Sequence, residues 1–232
     1  GLEIHYDGDF PARSGIGSSS AFTVGLLSAL KAYQGKIISK KKLYEESIKI
    51  EQNIIKETVG SQDQISTANG DFNHIKFKKN GKIIVNKINI SSEIVNKLDK
   101  NILLFFTGTV RTAEDIAKTV ITDISKKNKY FNNLYTIVDE GIKFLKEGNI
   151  DDFGRLLDKN WQQKKFLSNK ISNKKIDYLY NTALKAGALG GKITGAGAGG
   201  FMIFYVPLKF QKNVIGKFKK KNILNVPFNF EK

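Results

Sequence analysis

Two periods organise the apolar positions of this chain. After the small, polar stretch SGIGSSS, the apolar residues of 18–34 recur at helical spacing and stop at Gly35, which predicts a helix capped by Ser18 or Ser19. A second predicted helix opens at Ser39, carries Leu43, Tyr44, Ile48, Glu51, Ile54 and Ile55, and ends near Val59-Gly60. At about 100° per residue, Tyr44, Ile48, Glu51 and Ile55 lie within about 60° of one another, so Glu51 projects from an apolar face. A carboxylate in that position needs a partner. The polar segment SQDQISTANGDF follows as a turn-rich connection, and then FNHIKF and KIIVNKINI flank KKNGK, with the Asn-Gly signal of a hairpin.

Beyond the hairpin, NILLFFTG (101–108) has the continuous apolar run of a buried strand, and TAEDIAKTV opens a helix with Thr112 and Asp115 as a partial capping box. Helical periodicity runs on to about Ala186, through a segment holding the single Trp161. GALGGKITGAGAGGFMIFYV then reads as a short strand, a glycine loop and a strongly apolar strand. A strand–helix–helix–hairpin front and a strand–helices–strands back predict an α+β architecture of two packed units, residues 1–92 and 93–232.

Composition narrows what such a chain does. Its 232 residues are 41% hydrophobic, enough for a proper core, with no apolar run long enough to span a membrane and no leader-like start. The absence of cysteine excludes disulfide and thiolate chemistry, and two isolated histidines, His5 and His74, argue against zinc. A cytoplasmic address is expected. The net charge of +16 raises nucleic acid as a partner. Arginine, the bidentate reader of phosphate and base, occurs only at 13, 111 and 155, and the lysines are scattered, so no nucleic-acid partner is expected.

The chemistry gathers at the glycine loops. Gly195, Gly197 and Gly200 spell G-x-G-x-x-G, but a strand pattern follows where a dinucleotide fold needs a helix. Lys192, in GGKIT, lacks both the upstream glycine and the following hydroxyl of a phosphate-binding P-loop, so a tight hairpin between core strands is the plain alternative. SGIGSSS does run into a helix. Its glycines and serines serve either as a cap or as an anion site, where unpaired N–H groups and the helix dipole meet phosphate. Glu51 and Asp63 are the minimum pair of carboxylates for phosphoryl transfer, one to hold a cation and one to accept a hydroxyl proton. Their plain alternatives are a buried glutamate paired to lysine and an aspartate shaping a loop.

These stretches resemble the GHMP kinases. SGIGSSSAF is similar to the family's second motif, GGKITGAGAGGFMIFY to its third, and VGSQDQ to the segment with its catalytic aspartate. Within the family, GSQDQISTANGDFNHIKF, LLFFTGTVRTAEDIAK and WQQKKFLSNKISNKKID resemble the branch acting on the anomeric C1 hydroxyl of D-glycero-D-manno-heptose 7-phosphate. The resemblance implies an N-terminal part like ribosomal protein S5 domain 2, a ferredoxin-like C-terminal part and a cleft between them. It implies ATP and Mg²⁺ as cofactors and a sugar phosphate as substrate. Carried over by motif, Gly15, Gly17, Ser18, Ser19 and Ser20 wrap the ATP phosphates, Ser19 and Glu51 meet Mg²⁺, Asp63 takes the sugar hydroxyl's proton, and Gly195 and Gly197 bring the third-motif loop to the cleft. Arg111, in TGTVR, is a candidate for the substrate phosphate, or else a surface partner of Glu114 or Asp115.

One departure stands out. The family's first motif, an apolar strand ending in a glycine-rich turn, has no counterpart before Asp9, so the chain is expected to be a truncated piece whose own activity is in question. The competing readings are a galactokinase-like enzyme, a non-catalytic relic and a basic nucleic-acid-binding module.

Overall fold

The computed structural model describes residues 1–11, 14–109, 113–122 and 124–230. Arg111 and the capping residue Thr112 lie outside them. The first helix, α1 (Ser18–Tyr33), packs with α2 (Lys40–Lys49) and α3 (Gln62–Asn69), and the antiparallel hairpin β1 (Asn73–Phe77) and β2 (Ile83–Lys87) follows α3. Val24, Leu43, Tyr44, Ile65 and Ala68 form the core of this unit, with Ile75, Ile83 and Val85 laid against it.

The second unit is one four-stranded antiparallel sheet in the order β4-β5-β3-β6, made of β3 (Ile102–Phe106), β4 (Gly190–Ile193), β5 (Phe201–Tyr205) and β6 (Leu224–Val226). Strands β3 and β4 both run antiparallel to β5 between them, the split connection of the expected ferredoxin-like fold. Helices α5 (Ala113–Ile121), α6 (Asn128–Glu147), α7 (Ile150–Lys165) and α8 (Lys174–Ala186) join β3 to β4, and α9 (Leu208–Lys219) joins β5 to β6. Phe105, Phe204 and Phe218 meet in its core, with ring centroids 4.2 Å apart for Phe105 and Phe218 and 5.8 Å for Phe204 and Phe218. Helix α4 (Ser92–Asn101) leads into β3, and its Leu98 shares a third cluster with Ile102, Leu145, Ile150 and Tyr205.

Several sequence expectations are corrected. No strand precedes α1 among the described residues. Neither Ser18 nor Ser19 caps α1: the cap is Gly17 in the left-handed region (φ 74°), and the serines already belong to the first turn. The second helix stops short of Val59, because after Lys49 it widens into a π-helical turn, Ile50–Ile54, and ends. Its widening leaves Ile54 and Ile55 exposed, although Glu51 stays buried as its helical phase requires. Residues 62–69, expected to be a polar connection, form α3, since Ile65 and Ala68 bury one side of it against α1 and α2. The hairpin, the strand after residue 101 and the strand–loop–strand at the end stand as expected, with Gly81 (φ 79°) in the turn of the hairpin.

Candidate active site

Six of the sequence-predicted residues, Gly17, Ser18, Ser19, Ser20, Glu51 and Asp63, converge where α1 begins. The left-handed turn at Gly17 aims the chain into α1, and a β-carbon there would lie 3.3 Å from both Cγ and Oδ2 of Asp63, so the Asp63 carboxyl rests against the start of the helix. The helix places the N–H groups of its first turn and the positive end of its dipole beside that carboxyl. Ser18 is half-buried and Ser19 exposed, whereas Ser20 points inward and donates its hydroxyl to Glu51 Oε2 at 3.0 Å. Gln64 Nε2 donates to the same Oε2 at 2.5 Å. Glu51 is 1% exposed, and its other oxygen, Oε1, is buried with no hydrogen-bond partner.

The lysine partner considered for Glu51 is thus absent among the described residues, and its neighbours are a serine and a glutamine. A buried carboxylate oxygen without a donor is costly unless a cation completes it, so Glu51 suits a metal ligand. Among the described residues no group of three or more acidic, His or Cys side chains converges on one point. That sparse set fits magnesium, which binds through one or two carboxylates, substrate phosphates and water.

Asp63 titrates above the ordinary carboxylate range, first because protein surrounds its carboxyl and second because Glu51 adds negative charge nearby. The side chain still has solvent access. Standing in the first turn of α3, next to Gln64, it is fixed in place by the same helix that binds Glu51.

The glycine loop between β4 and β5 closes over the chain leading to Gly17. A β-carbon on Gly200 (φ 83°) would lie 1.8 Å from the Ser14 carbonyl oxygen, and one on Gly195 (φ 60°) 2.9 Å from that of Gly15. Only glycine permits backbone to meet backbone this closely. Gly197 has a different reason to be glycine: its neighbour is Ile171 in the α7–α8 connection, whose carbonyl oxygen is 2.6 Å from where its β-carbon would be. Lys164 Nζ donates to the Gly195 carbonyl at 2.5 Å, Asn173 Nδ2 to that of Ala198 at 3.1 Å, and both the backbone N–H and the hydroxyl of Thr107 to that of Gly200, each at 2.8 Å. Lys192 points away from the loop to Asn160 Oδ1, 3.0 Å away on α7, which disposes of the P-loop reading. Sequence reasoning missed Gln64, Gly200 and Lys164. Only Gly200 carried a signal, as the third glycine of the motif.

Residues 1–71 match the model described as GHMP kinases N terminal domain, and residues 142–221 the one described as GHMP kinases C terminal. Over its whole length the chain is 32% identical to D-glycero-alpha-D-manno-heptose 7-phosphate kinase of Campylobacter jejuni, covering 69% of that protein. It belongs to the GHMP kinase family. Among solved GHMP kinase structures, it superposes with a TM-score of 0.69 on a D-glycero-D-manno-heptose 1-phosphate kinase from Bacteroides thetaiotaomicron, at 27% identity, with 96% of this chain and 62% of that one covered. On the Methanococcus jannaschii mevalonate kinase the TM-score is 0.77, over 97% of this chain and 67% of the other, and at 24% identity that likeness speaks for the fold alone. The chain thus spans about two thirds of the length of these GHMP kinases.

Proposed function

We propose that this GHMP kinase chain is the body of an ATP- and Mg²⁺-dependent sugar kinase that phosphorylates the anomeric C1 hydroxyl of D-glycero-D-manno-heptose 7-phosphate, for nucleotide-activated heptose and surface polysaccharide. The observation that carries the reading is the meeting of Asp63 with Gly17 at the head of α1, next to a glutamate with one free, buried oxygen. The heptose assignment rests on the likeness to the Campylobacter enzyme and on the downstream stretches that resemble that branch.

In this reading the backbone from Gly15 to Ser19 and the α1 N-terminus hold the ATP phosphates. Glu51 and the Ser19 hydroxyl would hold magnesium, which would supply charge neutralisation on the transferred phosphoryl group. Asp63 takes the proton of the sugar hydroxyl as its oxygen bonds to the γ-phosphorus. The bond from that phosphorus to the β-bridging oxygen breaks, and ADP leaves. Its raised pKa suits a proton acceptor better than an ordinary surface aspartate would. The Ser20 hydroxyl is already committed to Glu51, so its part lies in supporting that ligand. Arg111 is assigned to the substrate phosphate on its sequence position alone. We place the boundary of the ATP-binding unit at residues 92 and 93, and the enzyme in the cytoplasm with no nucleic-acid partner. Among the described residues no helix is long and apolar enough to cross a membrane.

The test is ATP-dependent phosphorylation of a panel of free and phosphorylated sugars, scored by product position. Turnover confined to the heptose 7-phosphate, with product phosphorylated at C1, is expected. Turnover confined to galactose would move the assignment to another sugar, and absence of both turnover and ATP binding would end the kinase reading for this chain.

A further inference from the structure

Glu51 has both of its hydrogen bonds on one oxygen. Ser20 and Gln64 converge on Oε2 from α1 and α3, while Oε1, equally buried, has no partner. A carboxylate held this way cannot rotate about its terminal torsion without breaking two hydrogen bonds at a side chain that is 1% exposed. Gln64 is itself fully buried, and its own Oε1 also lacks a partner. The amide is thus oriented by the carboxylate alone, with its donor end turned to Glu51 because the reverse would set two acceptors against each other.

From this geometry we infer that Gln64, aided by Ser20, is the positioning residue that makes Glu51 a one-oxygen ligand of fixed direction, and so favours Mg²⁺ over Ca²⁺ at the nucleotide site. The inference rests on the proposed kinase reading. Magnesium demands short bonds in near-ideal octahedral geometry, whereas calcium accepts longer, irregular and two-oxygen carboxylate coordination. Engaging Oε2 twice removes the two-oxygen mode. With the Gln64 donor gone, Glu51 turns until both oxygens face the cation, which suits the larger ion and misaligns the smaller.

The experiment is calorimetric binding of a non-hydrolysable ATP analogue to the whole chain with Mg²⁺ or Ca²⁺, comparing wild type with Gln64→Met and Ser20→Ala. Thermal unfolding without metal reports on folding of each variant. Polar partners of metal ligands typically contribute 10–100-fold to metal affinity, so Gln64→Met is expected to weaken Mg²⁺-dependent binding by about tenfold or more, with Ca²⁺-dependent binding unchanged or tighter. Ser20→Ala, which deletes little volume, is expected to move the ratio in the same direction, and it carries the test if Gln64→Met does not fold. Equal losses with both ions, or an unchanged ratio, in the folded variants would overturn the inference. Failure of the wild type to bind Mg²⁺ and nucleotide at all would instead refute the functional reading beneath it.

Discussion

Asp63 concentrates the chemistry of the molecule in one side chain. Replacing it with asparagine keeps the shape against Gly17 and removes the proton acceptor, so turnover should fall by about 10²–10⁴-fold while ATP affinity stays within a few-fold. Steady-state kinetics beside nucleotide titration checks this, and turnover near wild type would remove Asp63 from the mechanism. Burial and Glu51 raise the Asp63 pKa, so the acid limb of the pH–rate profile should lie above the ordinary carboxylate range. The same shift has a consequence for stability. With the folded pKa above the unfolded one, the favourable contribution is complete below the unfolded pKa and lost as pH rises through the folded one. Asp63→Asn should therefore melt higher than wild type near neutral pH and equal to it in acid, as thermal scans at both pH values would show. Glu51 was legible in the sequence because helical phase set a carboxylate among apolar neighbours. Gln64 was not, because a glutamine inside a polar stretch gives no sign that its face will be buried.

At the scale of elements, strands and the hairpin were legible because apolar runs and Asn-Gly speak locally. The first-turn serines of α1, the π-helical turn after Lys49 and the helix at 62–69 were not, because contacts with other elements decide them. Helix α9 and strand β6 also follow the last apolar strand without a cue as strong as those before it. Close packing of α7 on the sheet depends on a different kind of position. A β-carbon on Gly154 would fall 2.4 Å from the Tyr205 ring, and one on Gly190 2.2 Å from the Gly154 carbonyl oxygen. Gly154→Ala, although a better helix former, is therefore expected to destabilise the protein by about 1–3 kcal/mol, measured by urea unfolding. A stabilised variant would mean that α7 stands farther from β5 than described.

Across the whole molecule the two units differ in how much they bury. The C-terminal sheet is covered by helices around a continuous aromatic and aliphatic core, whereas the N-terminal helices share the small cluster of Val24, Leu43, Tyr44, Ile65 and Ala68. Native-state hydrogen exchange should accordingly show α1–α3 opening at lower free energy than the β3–β5 ladder. Gly200→Ala, which combines a left-handed backbone with a β-carbon on the Ser14 carbonyl, should widen that gap by freeing α1 while leaving β3 and β5 protected. Uniform loss of protection would mean instead that the two units unfold as one.

The contact of Ser14 and Gly15 with Gly200 and Gly195 has a mechanical meaning as well. Side chains at a seam hop between rotamers and let the parts slide, but here glycine backbone lies directly on the backbone of Ser14 and Gly15. The head of α1 therefore inherits the stiffness of the sheet behind it. That head cannot shift without carrying the loop between β4 and β5 along with it.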